Sequence, residues 1–315
     1  MFPWLWIIAA GWTTSILDCS PSMYFYEKWN RLVTTPSRSN NKTLWIIGAS
    51  SGIGKEVALL QPTSQLILSS RSKRKLQQVA VEFSRKTRHR SENMPILLPF
   101  DITLPRQVRR AIRQLPARVD AVWINAGVGG QLSTVEGMNP SYVRQLFETN
   151  TLGPMRLIQL LCQERPDIRH FIVTSSVAGH LPVPLSSAYA ASKHALHGFL
   201  KSLTAEQPQL RVDVLCPGTV DTPFHPRSRA TQSMKMSATR CAHIVTAAMR
   251  RKRPRQGYNE VWIARQPTLS AMYLYQWFPT ITQAIISRYA GPKRVSIWKH
   301  GLDVYDPCSW KTKLH

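Results

Sequence analysis

The sequence predicts an α/β protein with a single doubly wound parallel sheet. From Thr43 onward, short apolar runs alternate with longer segments of helical pattern. The runs are largely unbroken by polar residues, as expected for strands that helices cover on both faces. Such repetition indicates right-handed crossovers. The predicted strands are 43–48, 65–69, 95–100, 119–125, 169–176, 211–216 and 261–264. The predicted helices are 52–61, 73–90, 105–115, 139–164, 186–206 and 237–252.

The charge balance is strongly basic, with 41 Lys and Arg against 17 Asp and Glu and a net charge of +24. The positive residues cluster at 71–75, 85–90 and 250–255. A solvated surface, an anionic membrane surface and nucleic acid are the three interpretations. No nucleic-acid-binding module accompanies the charge, so we expect no nucleic-acid partner.

The five cysteines are scattered and include no C-x-x-C pair. This spacing predicts free thiols rather than a zinc site or a disulfide framework, and no metal is expected.

The N-terminus has no charged side chain before Asp18, and aromatic and basic residues follow. This pattern favours a hydrophobic membrane anchor within 1–26 and a linker over 27–42. A hydrophobic helix packed on the domain is the alternative. If the segment spans a bilayer, Lys28 and Arg31 predict a cytoplasmic domain, whereas glycosylation at Asn41 would indicate a luminal one.

A glycine-rich loop follows the first predicted strand and opens the first helix of the domain. Glycines are needed where the backbone turns sharply or approaches a pyrophosphate, and a helix N-terminus attracts phosphate. The G-x-x-x-G-x-G spacing therefore predicts a dinucleotide-binding, Rossmann-type domain over 43–265. Its predicted phosphate-binding residues are Gly48, Ser50, Ser51, Gly52, Ile53 and Gly54.

The end of the second strand carries Arg71 and no acidic residue. An acidic residue there would bind the ribose hydroxyl of NAD, whereas arginine suits a 2′-phosphate. NADP(H) is therefore favoured over NAD(H). A solvated arginine in a basic stretch is the alternative interpretation of Arg71.

Tyr189 and Lys193 are four residues apart in a predicted helix and share one face. A free tyrosine has a pKa of about 10, and a nearby ammonium lowers it toward the range useful for acid–base chemistry. Ser176 ends the fifth strand, thirteen residues before Tyr189.

With the glycine loop, these residues resemble the short-chain dehydrogenase/reductase family. The resemblance implies an NAD(P)-dependent enzyme in which Tyr189 transfers a proton and Ser176 polarises the substrate oxygen. Lys193 would hold the nicotinamide ribose and tune Tyr189, and Asn150 would position a relay water.

Further positions resemble the family's cofactor contacts. Asp101 would contact the adenine, although its position also suits a helix cap. Ile47 departs from the threonine usual in relatives without touching the phosphate-binding backbone. The other implied cofactor-binding residues are Asn125, Ala126, Gly127, Pro217, Gly218, Val220 and Thr222.

The C-terminal extension, 266–315, resembles the branch of the family around dehydrogenase/reductase member seven and the 11β-hydroxysteroid dehydrogenases. That branch implies an enzyme that acts on a steroid, retinoid or xenobiotic ketone. It also implies a location in the endoplasmic-reticulum membrane, with the cytoplasm as the alternative. Residues 223–236 suggest a mobile lid. The family habit implies a homodimer through 139–164 and 186–206.

Three other functions compete with this interpretation. A non-catalytic dinucleotide-binding scaffold or membrane-surface interaction protein would usually have lost Tyr189 or Lys193, and both are present. A nucleic-acid-binding protein would need a groove-reading element. An epimerase or fatty-acyl reductase on the same scaffold usually carries a longer substrate domain.

Overall fold

A seven-stranded parallel sheet forms the centre of the computed structural model, which describes residues 17–33, 42–61, 65–87, 94–129, 131–224, 235–251 and 256–312. The strands are β1 (Thr43–Ile47), β2 (Gln65–Ser69), β3 (Ile96–Leu97), β4 (Ala121–Ile124), β5 (His170–Thr174), β6 (Arg211–Pro217), β7 (Val220–Asp221), β8 (Met236–Ser237) and β9 (Gly257–Ile263). The main sheet has the order β3-β2-β1-β4-β5-β6-β9, and β7 pairs with β8. All seven predicted strands are confirmed. The strand order reverses between β1 and β4, which creates a crevice at their carboxyl ends.

Helices flank the sheet on both faces and confirm the predicted crossovers. They are α1 (Pro21–Val33), α2 (Gly52–Leu59), α3 (Lys73–Thr87), α4 (Pro105–Arg113), α5 (Pro140–Phe147), α6 (Gly153–Glu164), α7 (Ser187–Glu206), α8 (Ala238–Arg250), α9 (Thr268–Trp277), α10 (Pro279–Ile285), α11 (Gly291–Lys299) and α12 (Pro307–Lys311). The predicted helix over 139–164 is interrupted by a π-helical turn, Glu148–Leu152, between α5 and α6.

Every strand of the main sheet except the edge strand β3 contributes side chains to two cores, because successive residues point to opposite faces. Ile46 and Trp123 pack with α2, α3 and α8 on one face. Trp45 and Phe171 pack with α4, α6 and α7 on the other. This two-sided burial explains why the strands lack polar alternation.

The N-terminal helix α1 packs on α8, and this corrects the predicted linker over 27–42. Residues 27–33 are helical. Cys19 and Met23 are fully buried in the core shared with α8. Arg240 binds Asp18 through two hydrogen bonds of 2.6 and 2.9 Å and Glu27 through one of 2.8 Å. Residues 17–28 therefore pack on the domain, whereas the apolar run over 1–16, for which the sequence predicts an anchor or a packed helix, and residues 34–41 lie outside the described residues.

The C-terminal helices α9 and α11 pack against the loop between β5 and α7. Ile297, Val304 and Tyr305 form a small core with Leu185 from the loop before α7. Across the described ranges, no helix combines the length and apolarity needed to cross a membrane. Of the segment interpreted as a lid, residues 225–234 lie outside the described residues, and Met236 belongs to β8.

We expect Arg240→Met to detach α1 and lower the free energy of unfolding by roughly 2 kcal/mol, because it removes the cation that offsets the buried Glu27 carboxylate. Urea denaturation measures the loss, and proteolysis after Lys28 reports detachment. The control is Arg109→Met, which breaks an exposed pair with Glu164 and should cost less than about 1 kcal/mol. Equal losses in the two variants would contradict the proposed anchoring role.

Candidate active site

A cleft of about 360 Å³ lies at the carboxyl ends of β1, β4, β5 and β6. It brings together most of the residues that the sequence singled out. Those lining it are Gly48, Ser50, Ser51, Gly52, Ile53, Arg71, Asp101, Asn125, Ala126, Gly127, Ser176, Tyr189, Lys193, Pro217, Gly218, Val220 and Thr222. Gly54 and Asn150 do not line it.

The glycine loop allows β1 and α2 to approach β4 closely. Gly48 has a φ of +90°, and a Cβ there would lie 2.6 Å from the backbone nitrogen of Ala126. A Cβ on Gly54 would collide with the Gly48 carbonyl. Gly54 therefore acts behind the cleft, where it lets α2 pack closely on the end of β1. Ser51 precedes α2 without a side-chain cap, so the first-turn N–H groups remain available to a phosphate.

A chain of side-chain hydrogen bonds joins three strand ends beneath the cleft. Asn125 Nδ2 donates to the Gly48 carbonyl (3.1 Å), and Thr174 Oγ1 donates to Asn125 Oδ1 (3.0 Å). Trp123 Nε1 donates to Thr174 Oγ1 (2.9 Å). Asn125 therefore stabilises the sheet edge, and Thr174 is a site residue that sequence reasoning missed.

Ser176 and Tyr189 lie next to each other in the cleft. Ser176 Oγ donates to the Pro217 carbonyl (3.2 Å) and accepts from the Ala178 amide (3.1 Å). The pKa of the Tyr189 phenol is raised, not lowered as expected from the nearby ammonium, because burial outweighs the opposing effect of its hydrogen bond with Ser176. The Tyr189 ring meets Phe224 edge to face at 5.8 Å between centroids.

Lys193 is buried below Tyr189. Its Nζ donates to the Thr174 carbonyl (3.1 Å) and lies 5.9 Å from the centre of the Tyr189 ring. Burial lowers the pKa of this ammonium to about 8. A charge held in so apolar a position destabilises the fold, which is the usual signature of a functional group.

Asn150 is completely buried in the π-helical turn. Its Oδ1 accepts from the Val128 amide (2.8 Å), and its Nδ2 donates to the Val128 carbonyl (2.9 Å) and to Ser192 Oγ (3.3 Å). The side chain thus fixes the loop after β4 to α7. Its role in positioning a water stays a prediction.

The end of the cleft next to the carboxyl end of β2 is polar. Arg71 is exposed there and Lys75 also lines the cleft. The Asp101 carboxylate accepts from the backbone amide (2.9 Å) and the hydroxyl (2.8 Å) of Thr103, as a turn-stabilising aspartate does.

The C-terminal extension contributes two residues that no local pattern in the sequence marked. Arg294 and Tyr305 both line the cleft, and the Arg294 guanidinium lies 5.5 Å from the centre of the Tyr305 ring. Phe224, just after the Pro-Gly loop, also lines it. Their positions depend on how the extension folds back, which spacing in the sequence does not express.

A parallel sheet with a glycine-lined cleft at its carboxyl edge defines a dinucleotide-binding enzyme. The chain belongs to the short-chain dehydrogenase family, whose family model matches residues 42–233. It is 31% identical over 281 residues to dehydrogenase/reductase SDR family member 7 of Homo sapiens, covering 82% of this chain and 80% of that protein. It is 36% identical over 192 residues to member 7B of Danio rerio, covering 58% and 62%.

Solved structures show the same fold. A short-chain dehydrogenase from Burkholderia cenocepacia J2315 in complex with NADP has a TM-score of 0.64 at 21% identity, covering 79% of this chain and 97% of that one. An alcohol dehydrogenase from Thermococcus sibiricus complexed with 5-hydroxy-NADP has a TM-score of 0.63 at 23% identity, covering 71% and 97%. Membership of the family and the similarity to its dehydrogenase/reductase members make the protein an NAD(P)-dependent oxidoreductase acting on CH-OH groups. The uncapped helix start and the glycine cradle fit a nicotinamide dinucleotide.

We expect Lys193→Met to be more stable than the wild type at pH 7, by roughly 1–3 kcal/mol, in the free protein. The pKa of Lys193 is about 8 in the folded protein, against an ordinary value of 10.5 for a lysine in water. The cost of burying the ammonium is fully present below pH 8 and is lost as the pH rises from about 8 through 10.5, above which both states are neutral.

Urea denaturation of both proteins between about pH 7 and about pH 10 measures this difference in the free energy of unfolding. The difference should shrink steadily as the pH rises. A difference that is constant over the range, or a variant that is less stable at neutral pH, would contradict a buried, destabilising ammonium.

Proposed function

We propose that the protein is an NADP(H)-dependent oxidoreductase that interconverts a carbonyl and a primary or secondary alcohol on a lipophilic substrate. The observation that carries the proposal is the meeting of Ser176, Tyr189 and Lys193 beside the glycine cradle in one cleft. Tyr189 would supply a proton, Ser176 a hydrogen bond and Lys193 a positive charge at the place where a substrate carbonyl would be reduced.

Tyr189 is the proposed acid in the reductive direction and the base in the oxidative one. Because burial raises the pKa of its phenol, the proton is present at neutral pH and available to a carbonyl oxygen. Ser176 Oγ, now donating to the Pro217 carbonyl, turns its hydrogen toward that oxygen instead. The ammonium of Lys193 stabilises the phenolate that remains.

The cofactor supplies or accepts the hydride. The residues that would hold its pyrophosphate are Gly48, Ser50, Ser51, Gly52 and Ile53. Asn125, Ala126 and Gly127 would line its ribose. Pro217, Gly218, Val220 and Thr222 would hold its carboxamide end. Asp101 would contact the adenine.

NADP(H) is the proposed form of the cofactor because of the charges at the polar end of the cleft. Arg71 and Lys75 lie there, and Asp101 is the one acidic residue among the described residues that line the cleft. A 2′-phosphate suits such a cationic end. The Burkholderia cenocepacia and Thermococcus sibiricus structures, which contain NADP or a derivative, support the same choice.

A lipophilic substrate is proposed from the opposite end of the cleft. Most of the side chains lining it have low polarity, namely Val177, Ala178, Val183, Pro223, Phe224 and Tyr305, and the Arg294 guanidinium lies beside the Tyr305 ring. They surround the position next to Tyr189 where a steroid, retinoid or xenobiotic ketone would present its carbonyl.

Membrane association is proposed from the outer face of the C-terminal helices. Trp277, Ile281 and Tyr289 are largely exposed beside Arg288. Residues 266–302 contain no Asp or Glu, so this apolar face is accompanied by positive charge alone. The endoplasmic-reticulum location and the homodimer stay predictions.

Tyr189→Phe should lower turnover by roughly 10²–10⁴-fold, because the variant keeps the ring and loses the transferable proton. The measurement is NADPH oxidation with a panel of steroid, retinal and quinone carbonyls, alongside fluorescence titration with NADPH. Binding should be nearly unchanged. The control is Tyr289→Phe at an exposed position, which should retain activity. Full turnover by Tyr189→Phe would overturn the assignment of the proton donor.

Arg71→Ala should weaken NADPH binding roughly 10-fold or more while changing NADH binding little, because one charge-assisted phosphate contact is lost. Fluorescence titration with both nucleotides measures the ratio of the two dissociation constants. Arg74→Ala, on the neighbouring helix but outside the cleft, is the matched control. If Arg71→Ala weakened both nucleotides equally, the proposed preference for NADP(H) would lose its basis.

A further inference from the structure

A second group of reactive side chains lies behind the active site, outside the cleft. His180 follows the 3₁₀ turn Val177–Gly179, and Ser176 is the N-cap residue of that turn. His197 lies one helical turn beyond Lys193 on α7, and Cys216 and Glu260 lie on the adjacent strands β6 and β9. His197 and Cys216 are buried, and His180 is partly exposed.

Three ligand atoms in this group converge. Cys216 Sγ lies 3.8 Å from His197 Nε2 and 4.0 Å from His180 Nε2. All three atoms lie within 4.8 Å of one another. In a tetrahedral zinc site the sulfur and nitrogen ligands are about 3.5 Å apart, given Zn–S and Zn–N bonds of about 2.3 and 2.0 Å. Shifts of a few tenths of an ångström would bring the sulfur to that spacing from each nitrogen, and the two nitrogens, which lie within 4.8 Å of each other, would close to about 3.3 Å by rotation of the partly exposed His180 ring.

The orientation of His197 is the one that metal-binding histidines have. While Nε2 faces Cys216, Nδ1 lies 2.9 Å from Tyr258 Oη and 3.3 Å from Glu260 Oε1. A carboxylate on the distal nitrogen fixes the tautomer and strengthens the ligand. Trp262 Nε1 donates to the other oxygen of Glu260 (3.1 Å), which holds the carboxylate in place.

The group also contains a close glycine contact and an unused polar atom. A Cβ on Gly179 would lie 2.6 Å from His197 Nε2 and 3.2 Å from Ser175 Oγ, so only glycine lets the backbone pack this closely against the His197 ring and Ser175. Ser175 is buried, and its Oγ has no hydrogen-bond partner within the described part of the chain.

We propose that His180 Nε2, His197 Nε2 and Cys216 Sγ bind one Zn²⁺ ion, with a water beside Ser175 Oγ as the fourth ligand. Two imidazoles and one thiolate are the donor set that selects zinc over Mg²⁺ or Ca²⁺. Sequence spacing does not reveal this set, because its members come from a loop, a helix and a strand.

The proton and charge balance of binding is simple. The Cys216 thiol releases its proton to solvent as the sulfur bonds to the metal. His180 Nε2, which now faces Glu260 Oε2 at 3.1 Å, becomes unprotonated, and its ring proton resides on Nδ1. The metal's two positive charges then balance the Cys216 thiolate and the Glu260 carboxylate, which leaves the buried group neutral.

The proposed ion would position the active site rather than take part in the reaction. It would join the turn after Ser176 to the helix of Tyr189 and Lys193. It would also join both to β6, whose Pro217 carbonyl accepts from Ser176. The inference is therefore independent of the proposed substrate and cofactor.

Titration of the chelator-treated full-length protein with Co²⁺ tests the site, because a thiolate ligand to tetrahedral Co²⁺ gives an intense charge-transfer band. We expect saturation at one equivalent and displacement by Zn²⁺. Cys216→Ser should abolish the band, and His180→Asn should weaken binding at least 10-fold. Cys241→Ser and His194→Asn are matched controls, at a buried cysteine and an exposed histidine, and should leave the titration unchanged.

Thermal unfolding gives a second measurement that needs no spectroscopic ligand. Zn²⁺ should raise the melting temperature of the wild type and of both controls, but not that of Cys216→Ser or His180→Asn. If Cys216→Ser does not fold, His180→Asn alone decides, because His180 is partly exposed. Absence of saturable binding by the wild type, or a charge-transfer band that survives Cys216→Ser or is lost equally in Cys241→Ser, would overturn the proposal.

Discussion

The close approach of the ends of β1 and β4 is the constraint on which the rest of the site depends. Gly48 permits it by placing no side chain against Ala126, and Asn125 secures it by donating to the Gly48 carbonyl. The same asparagine accepts from Thr174, which extends the connection to β5. Since the Thr174 carbonyl is also the acceptor for Lys193, the glycine loop and the ammonium belong to one hydrogen-bonded structure.

The electrostatics of the cleft follow from this arrangement. Lys193 and Tyr189 are both removed from water, and desolvation moves both toward their neutral forms. A pair that is easily neutralised is compatible with a lipophilic ligand, yet it holds a proton that can be transferred. Under the proposed mechanism, the cost in stability of burying these two groups is balanced by their acid–base capacity, as for buried functional groups generally.

Both ends of the described chain complete the domain through contacts that are distant in sequence. Arg240 in α8 holds α1 through Asp18 and Glu27, more than two hundred residues away. Tyr305 and Arg294 return from the C-terminal helices to the cleft near Phe224. The core of the sheet is thus common to the fold class, whereas the walls of the substrate region depend on the extension.

The sequence by itself determined the sheet, its crossover helices and the set of residues at its carboxyl edge. It could do so because burial on both faces removes polar alternation from strands, and because glycine, Ser176 and the Tyr189–Lys193 pair follow local spacing rules. It also indicated the family. The positions of Gly54 and Asn150 behind the cleft could not be predicted in this way, since the packing of backbone on backbone has no local signal.

Only the tertiary structure decided the features that join distant segments. The sequence pattern assigned the helix over 21–33 partly to an anchor and partly to a linker. Hydrophobic periodicity does not reveal the ion pairs that Asp18 and Glu27 form with Arg240. Packing of distant segments places three further residues in the cleft, namely Thr174, Arg294 and Tyr305. It also brings together His180, His197 and Cys216, which lie on a loop, a helix and a strand. Local pattern reflects the environment of one segment, whereas these sites arise where several segments converge, so the chain must fold before they exist.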